Sequence, residues 1–235
     1  MSQPRPKRFY SSVSVSAEGP AWRVLLDGRP IRTPAKAVLA APTRAAAALI
    51  AAEWDAQADE VRPETMPVTR LMNVAIDRTP LTRPDIIAEA RRYAGTDLLC
   101  YRADAPAELA ARQAVAWDPL LAWVAAAHGV ALNAAQGVLA IAQDEAALDA
   151  AAQAAAALDD VRLTCLTHAT AIAGSAVIGL ALVAGRIDAD DAFRISRIDE
   201  DFQTERWGED AEARAAADAR RADMSAVGAL LETLS

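Results

Sequence analysis

Between residues 8 and 40 apolar and polar positions alternate: Val13 and Val15 sit among serines, and Trp22, Val24 and Leu26 alternate up to Asp27-Gly28. A period of two sends successive side chains to opposite faces of a strand, so this region reads as β-structure. The next run, Arg29-Pro30-Ile31-Arg32-Thr33, is expected to pair back on the one before it, because Asp-Gly suits the two positive-φ positions of a two-residue hairpin turn. Pro30 has no ladder donor and directs its strand towards an edge.

From Pro42-Thr43 the period becomes helical. Leu49, Ile50, Glu53 and Trp54 fall on a helix predicted to end near Gln57, and a second helix after Pro67 is expected to bury Leu71, Met72, Ala75 and Ile76. The segment from Asp59 to Met66 reads as an extended crossing between them. These elements predict a β-rich N-terminal domain with two helices over residues 1–80. Beyond Pro84 the chain is helical in pattern and rich in alanine, which loses no side-chain entropy in a helix, so residues 81–235 are expected to form a larger all-α domain. The predicted fold class is α+β.

Within the helical part, Asp118-Pro119 predicts a helix start and Gly129 its stop, while Asp144 and Glu145 suit the first turn of a helix running towards Leu158. Leu163 to Ala184 approaches the length of a membrane span. Thr164, Thr167, His168, Thr170 and Ser175 dilute its apolar character, so one central bundle helix is expected there, with Gly174 and Gly179 allowing a neighbour close. Trp22 and Trp54 are expected to serve packing, and Thr96 to Arg102 a helix end locked by Asp97.

Composition narrows the function. A chain of 235 residues with 53% hydrophobic content can bury a sizeable core, and a formal charge of -8 argues against general nucleic-acid binding. Cys100 and Cys165 are isolated, so no disulfide framework or zinc site is expected, and a reducing compartment fits. His128 and His168 stand in no metal-ligand spacing, and the phosphate-binding, dinucleotide-binding and nucleophile-elbow motifs are absent. No catalytic residue, cofactor or metal is therefore predicted. Met1 to Lys7 is too short for a leader before the strand-like segment begins, so the chain is expected to stay where it is made.

The densest charge lies in Ser196 to Asp210, where six carboxylates surround Phe202 and Trp207. Asp188 followed by Asp191 resembles a helix start, and a helix continuing from it puts Ile195, Ile198 and Phe202 on one packing stripe with Asp199 half-buried beside it. Asp201, Glu205 and Glu209 then form a column at i, i+4 steps, of which Arg197 can relieve only the first. An aromatic among charges is typical of contact sites, so Asp199, Glu200, Asp201, Glu205 and Trp207 are the candidate partner-binding residues. Asp199 is expected to contribute little to folding, as a partly exposed charge. The alternative is a carboxylate- or metal-dependent enzyme using the Asp199–Glu205 cluster.

Several segments are familiar as an ordered set: Arg8-Phe9-Tyr10, Trp22 to Leu26, Gly28-Arg29-Pro30, Arg32-Thr33-Pro34, Glu53-Trp54-Asp55-Ala56-Gln57, Met66-Pro67 to Asp77, Thr96 to Arg102, Trp117-Asp118-Pro119, and Ser196 to Asp201 through Trp207-Gly208. Together they resemble the assembly chaperones of the F1-ATPase alpha subunit. The resemblance implies a non-enzymatic monomer with a β-rich N-terminal and a helical C-terminal domain. It implies binding to free alpha subunit until the beta subunit takes its place, without nucleic acid or membrane insertion. It places the protein in the bacterial cytoplasm, or in the mitochondrial matrix for eukaryotic relatives. In that family a carboxylate of the acidic segment is linked to function, often a Glu, and the matching position is Asp199.

Overall fold

At the Asp27-Gly28 turn both residues take positive φ, 46° and 77°. The chain reverses there with Leu26 opposite Arg29 and Leu25 opposite Pro30, the hairpin that the alternation and the Asp-Gly pair predict. The computed structural model describes residues 6–137, 139, 141–208 and 210–234. The chain divides into two compact units, Met1–Leu81 with Ala229–Ser235, and Thr82–Gly228.

In the first unit β1 (Val13–Glu18) pairs antiparallel with β2 (Ala21–Leu26). β2 also pairs with β3 (Arg29–Pro30) and with β4 (Ala40–Ala41). Pro30 thus lies in a strand at the end of the β1-β2-β3 order, where a missing donor costs no ladder bond on the outer side. Helix α1 (Arg44–Asp55) begins at Thr43, whose hydroxyl accepts the Ala46 amide at 3.0 Å, and packs on β1 and β2. Val24, Leu39, Ala46, Ala47 and Ile50 are fully buried in this layer.

Glu53 of α1 closes the start of α2 (Pro67–Asp77). Its carboxylate accepts the Val68 and Thr69 amides and the Thr69 hydroxyl, each at 2.7 Å, where unpaired amides and the helix dipole both favour an anion. The buried Gln57 side chain accepts the Arg62 amide at 2.7 Å, and Pro63–Thr65 forms a 3-10 turn. The Asp59–Met66 crossing is therefore extended only in part. Ile76 is half-buried, whereas Val68 and Thr69 join Leu71, Met72 and Ala75 inside.

The second unit is helical apart from a short parallel pair, β5 (Tyr101–Arg102) with β6 (Ala135–Gln136). Helix α3 (Thr79–Gly95) bends at Thr82, two residues before the internal Pro84. Helix α4 (Ala107–His128) corrects the expected start at Asp118-Pro119, because Pro119 lies inside it. The proline forgoes one amide bond, to the Val115 carbonyl, on the solvent side of the helix. Trp117, Leu120 and Val124 on the opposite side are buried and carry the helix through. Gly129 ends it in the left-handed conformation, as expected.

Helix α5 (Glu145–Ala156) is followed by a second correction. The stretch expected to be one central helix is two: α6 (Asp160–Ala173) and α7 (Ala176–Val183), reversing at Gly174-Ser175. Gly174 is left-handed (φ 67°), and the Ser175 hydroxyl caps α7 by accepting the Ile178 amide at 3.0 Å. Gly179 makes the tight antiparallel packing feasible: a Cβ there would stand 2.5 Å from Thr170 Oγ1 and 3.0 Å from Leu166 Cδ1. Among the described residues no helix is long and apolar enough to cross a membrane.

Asp97 is fully buried against this reversal. It accepts the Leu99 amide, locking the 3-10 turn Leu98–Cys100, and the Val177 amide at the start of α7, both at 3.1 Å. Burial pushes its carboxyl up to about 6, against hydrogen bonds from Ser175 and nearby amides that pull it down. Two shorter helices follow, α8 (Ala189–Ser196) and α9 (Ile198–Trp207), and then α10 (Ala211–Glu232). Asp188 caps α8 by accepting the Asp191 amide at 2.8 Å, as its spacing predicts. The architecture is α+β.

Candidate binding site

The acidic segment is not the continuation of one helix. Arg197 (φ −115°, ψ 14°) breaks the chain between α8 and α9, and α9 ends where Gly208 takes φ 85°. Ile195 and Phe202 are buried and Ile198 is half-buried, so the predicted stripe anchors both helices despite the break. Glu209, the third member of the expected carboxylate column, lies outside the described residues.

Asp199, Asp201 and Glu205 go to separate partners. Asp199, half-buried, accepts a 2.6 Å hydrogen bond from Nε2 of Gln113 on α4. Gln113 is itself buried, and its Oε1 accepts the Ala103 amide at 2.8 Å. Asp199 is thus the outer end of a polar chain reaching into the core, more than the lightly attached edge charge the sequence suggested. Asp201 pairs with Arg197 at 3.3 Å.

Glu205 corrects the picture of an uncompensated column. The Arg112 guanidinium of α4 grips both its oxygens, at 2.9 and 2.7 Å, and also donates to Glu108 at 2.9 Å. Arg206 closes the lattice on Glu108 at 3.0 Å. The hydrogen bonds from Arg112 and then Arg206 hold the Glu108 carboxyl below the usual carboxylate range. Both guanidinium groups lie over the buried Phe202 ring, 5.1 Å away for Arg112 and 4.2 Å for Arg206. Glu200 is exposed and has no ion pair among the described residues, and Trp207 is 77% exposed.

Between α4 and the α8–α9 pair lies an open groove of about 650 Å³. Ala111, Val115, Ala116 and Ile198 supply its apolar lining, and Glu108, Arg112, Arg194, Asp201 and Glu205 its charged one. Val115 is 79% exposed. The groove joins two of the predicted contact residues, Asp201 and Glu205, to a face of α4 that sequence reasoning missed. The available signal was Val115 interrupting polar positions on the side of α4 opposite Trp117, but a lone exposed valine is ordinary without a neighbour to frame it.

His128 stacks edge-on with Trp123 at a centroid distance of 5.3 Å, and His168 bonds the Thr164 carbonyl through Nδ1 at 3.0 Å. Among the described residues no three His, Cys, Asp or Glu side chains group as a metal site. The burial of Cys100 and Cys165 pushes both thiols up to about 12, away from nucleophilic use.

Residues 7–125 match the model of the family described as ATP12 chaperone protein. The chain belongs to the ATP12 chaperone family. It is 24% identical over 220 residues to "Protein atp12, mitochondrial" of Schizosaccharomyces pombe, covering 88% of this chain and 76% of that protein. Crystallised Atp12 from Paracoccus denitrificans is 43% identical over 98% of this chain and 99% of its own, with a TM-score of 0.91. An aspartate-to-lysine mutant of P. denitrificans Atp12p superposes equally well, with a TM-score of 0.91 at 42% identity over 98% of both chains. Membership makes the chain a chaperone, and the role in F1 ATP synthase assembly that the ordered motifs implied stands with it. The alternative of a carboxylate- or metal-dependent enzyme gains no support, either from these relatives or from carboxylates directed to different partners.

Proposed function

We propose that the chain captures the unassembled alpha subunit of F1-ATPase and shields its interface until the beta subunit displaces it. The observation that carries this reading is the groove beside α9, an apolar floor ringed by charges that already have partners of their own. A client surface of small apolar residues can dock there without stranding a buried charge, because Glu205, Arg112, Asp201 and Glu108 keep their ion pairs. Trp207 and Glu200, on the same short helix, extend the contact outwards.

The same features favour release. Because the charges around the groove are already paired within the chain, an occupant gains little beyond apolar contact there, so the beta subunit can win by offering a larger apolar contact. Asp199 acts from below by holding Gln113 and the α4–α9 spacing that sets the groove's width. The chain works without cofactor or metal, in the bacterial cytoplasm, as a counterpart of the mitochondrial atp12 protein. Co-expression with alpha subunit and affinity capture tests the reading. Alpha is expected to be retained and to be displaced by added beta, while no retention, or retention indifferent to beta, overturns it.

A further inference from the structure

The first unit carries a cleft of its own, which the proposed groove at α9 leaves unused. About 630 Å³ in volume, it is lined by Phe9, Tyr10 and Trp54 on one side and by the hairpin residues Arg29, Pro30 and Arg32 on another. The aromatic side is graded: Phe9 is 71% exposed and meets Tyr10 edge-on at 5.3 Å, and Tyr10 meets the half-buried Trp54 at 5.7 Å. The Tyr10 hydroxyl donates to the Trp54 carbonyl at 2.7 Å and fixes the pair.

Most polar side chains around this cleft have structural work. Arg8 donates to the Tyr10, Asp55 and Gln57 carbonyls, and Thr33 bonds Asp77 at 2.7 Å. The cleft's one lining carboxylate, Asp27, is engaged by the amides of Ser11 and Ser12 and by the Ser12 hydroxyl, and those bonds from Ser12 and Ser11 hold it below its usual range. Arg29 differs: it is exposed and its side chain has no hydrogen bond or ion pair among the described residues. Arg32 spends one bond on the Lys36 carbonyl at 2.8 Å and meets no carboxylate among the described residues. An otherwise acidic chain, of net charge -8, thus presents two guanidinium groups without carboxylate partners beside an exposed aromatic step. Guanidinium forks match carboxylates, and an aromatic edge accepts an apolar side chain next to one.

We propose that this cleft is a second client contact, which takes a segment of the captured protein carrying a carboxylate next to an apolar side chain: the carboxylate on Arg29, supported by Arg32, and the apolar group on Phe9 and Tyr10. The inference rests on the alpha-subunit reading, and it assigns the first unit recognition of a carboxylate, beside the apolar recognition proposed for the groove at α9.

The test places a photo-crosslinking phenylalanine analogue at Phe9 or, separately, at Trp207, in full-length chain co-expressed with alpha subunit, and maps the adducts by mass spectrometry. Crosslinks from position 9 are expected to fall on an alpha segment containing Asp or Glu. Arg29→Glu is expected to lower their yield about tenfold, and Arg29→Lys to retain most of it, because a reversed charge repels what a retained one attracts. Thermal melts of both variants separate loss of contact from loss of fold. Crosslinks from Trp207 with none from Phe9 overturn the cleft proposal while leaving the alpha reading intact. Adducts on a segment without acidic residues, or a yield indifferent to Arg29→Glu, overturn it too. Crosslinks from neither position overturn both.

Discussion

Asp97 and Asp199 are the same side chain in two settings of the second unit. Asp97 is fully buried, accepts amides from its own turn and from the start of α7, and serves only to join them. Asp199 is half-buried, holds the buried Gln113 from outside and follows Ile198, which lines a groove open to solvent. Burial without a counter-charge makes a carboxylate a fastener whose loss is felt by the whole fold. Partial burial lets one side chain fasten on its inner oxygen while its surroundings stay available to a client.

Substitutions sharpen that contrast, beginning with the largest effect. Asp97→Ala strands buried amides at two turns and is expected to cost about 3 kcal/mol in urea unfolding. The effect is also pH-dependent. The folded carboxyl lies at about 6, above its unfolded value of 3.8. Its contribution is therefore fully present below about pH 4 and lost as pH rises through about 6. The gap between wild type and Asp97→Ala should accordingly be wider at pH 4.5 than at pH 7.5, and equal gaps would show that Asp97 does not titrate in this window.

Next in size, Gly179→Ala drives a methyl against Thr170 and Leu166 and is expected to cost about 2 kcal/mol, read as a lowered melting midpoint. Asp199→Lys removes the acceptor of Gln113 Nε2, so a loss of about 1 kcal/mol is expected together with loss of alpha capture. Gln113→Ala is the control that splits the two roles. An equal melting loss with capture retained places Asp199 in the client contact, whereas loss of both confines it to setting the groove. Smallest in stability is Val115→Asp, on an exposed side chain, which should leave unfolding within about 0.5 kcal/mol of wild type and still abolish capture. Capture unaffected by that change would remove the groove from the binding surface.

Local signals were legible where one residue type has one physical use. Asp27-Gly28 forecast its turn, Thr43 and Asp188 their helix starts, and Gly129 its stop. Two signals misled because their meaning depends on neighbours. Asp118-Pro119 has the form of a helix start, yet buried Trp117 and Leu120 on either side keep α4 continuous. Leu163 to Ala184 has the hydropathy of one long helix, yet Gly174-Ser175 turns it and Asp97, far away in sequence, secures the second half. Of the candidate site, the carboxylates and the anchoring stripe were readable, but Arg112, Gln113 and Val115 were not. They lie on α4, some ninety residues earlier, and no periodicity within one helix reports what another lays across it.

The sequence by itself determined the α+β class, the hairpin, several helix ends and the place of the acidic segment in an ordered set of family motifs. All but the last follow from local backbone preferences and from the period of burial, which act over a few residues; the last comes from the resemblance of the ordered segments to a family. Tertiary structure alone decided that Glu205 is paired with Arg112, that an apolar groove lies beside them, and that Arg29, next to an aromatic step, has no carboxylate partner among the described residues. Pairing and exposure are relations between distant segments, and only the folded chain brings those segments within ångströms of one another.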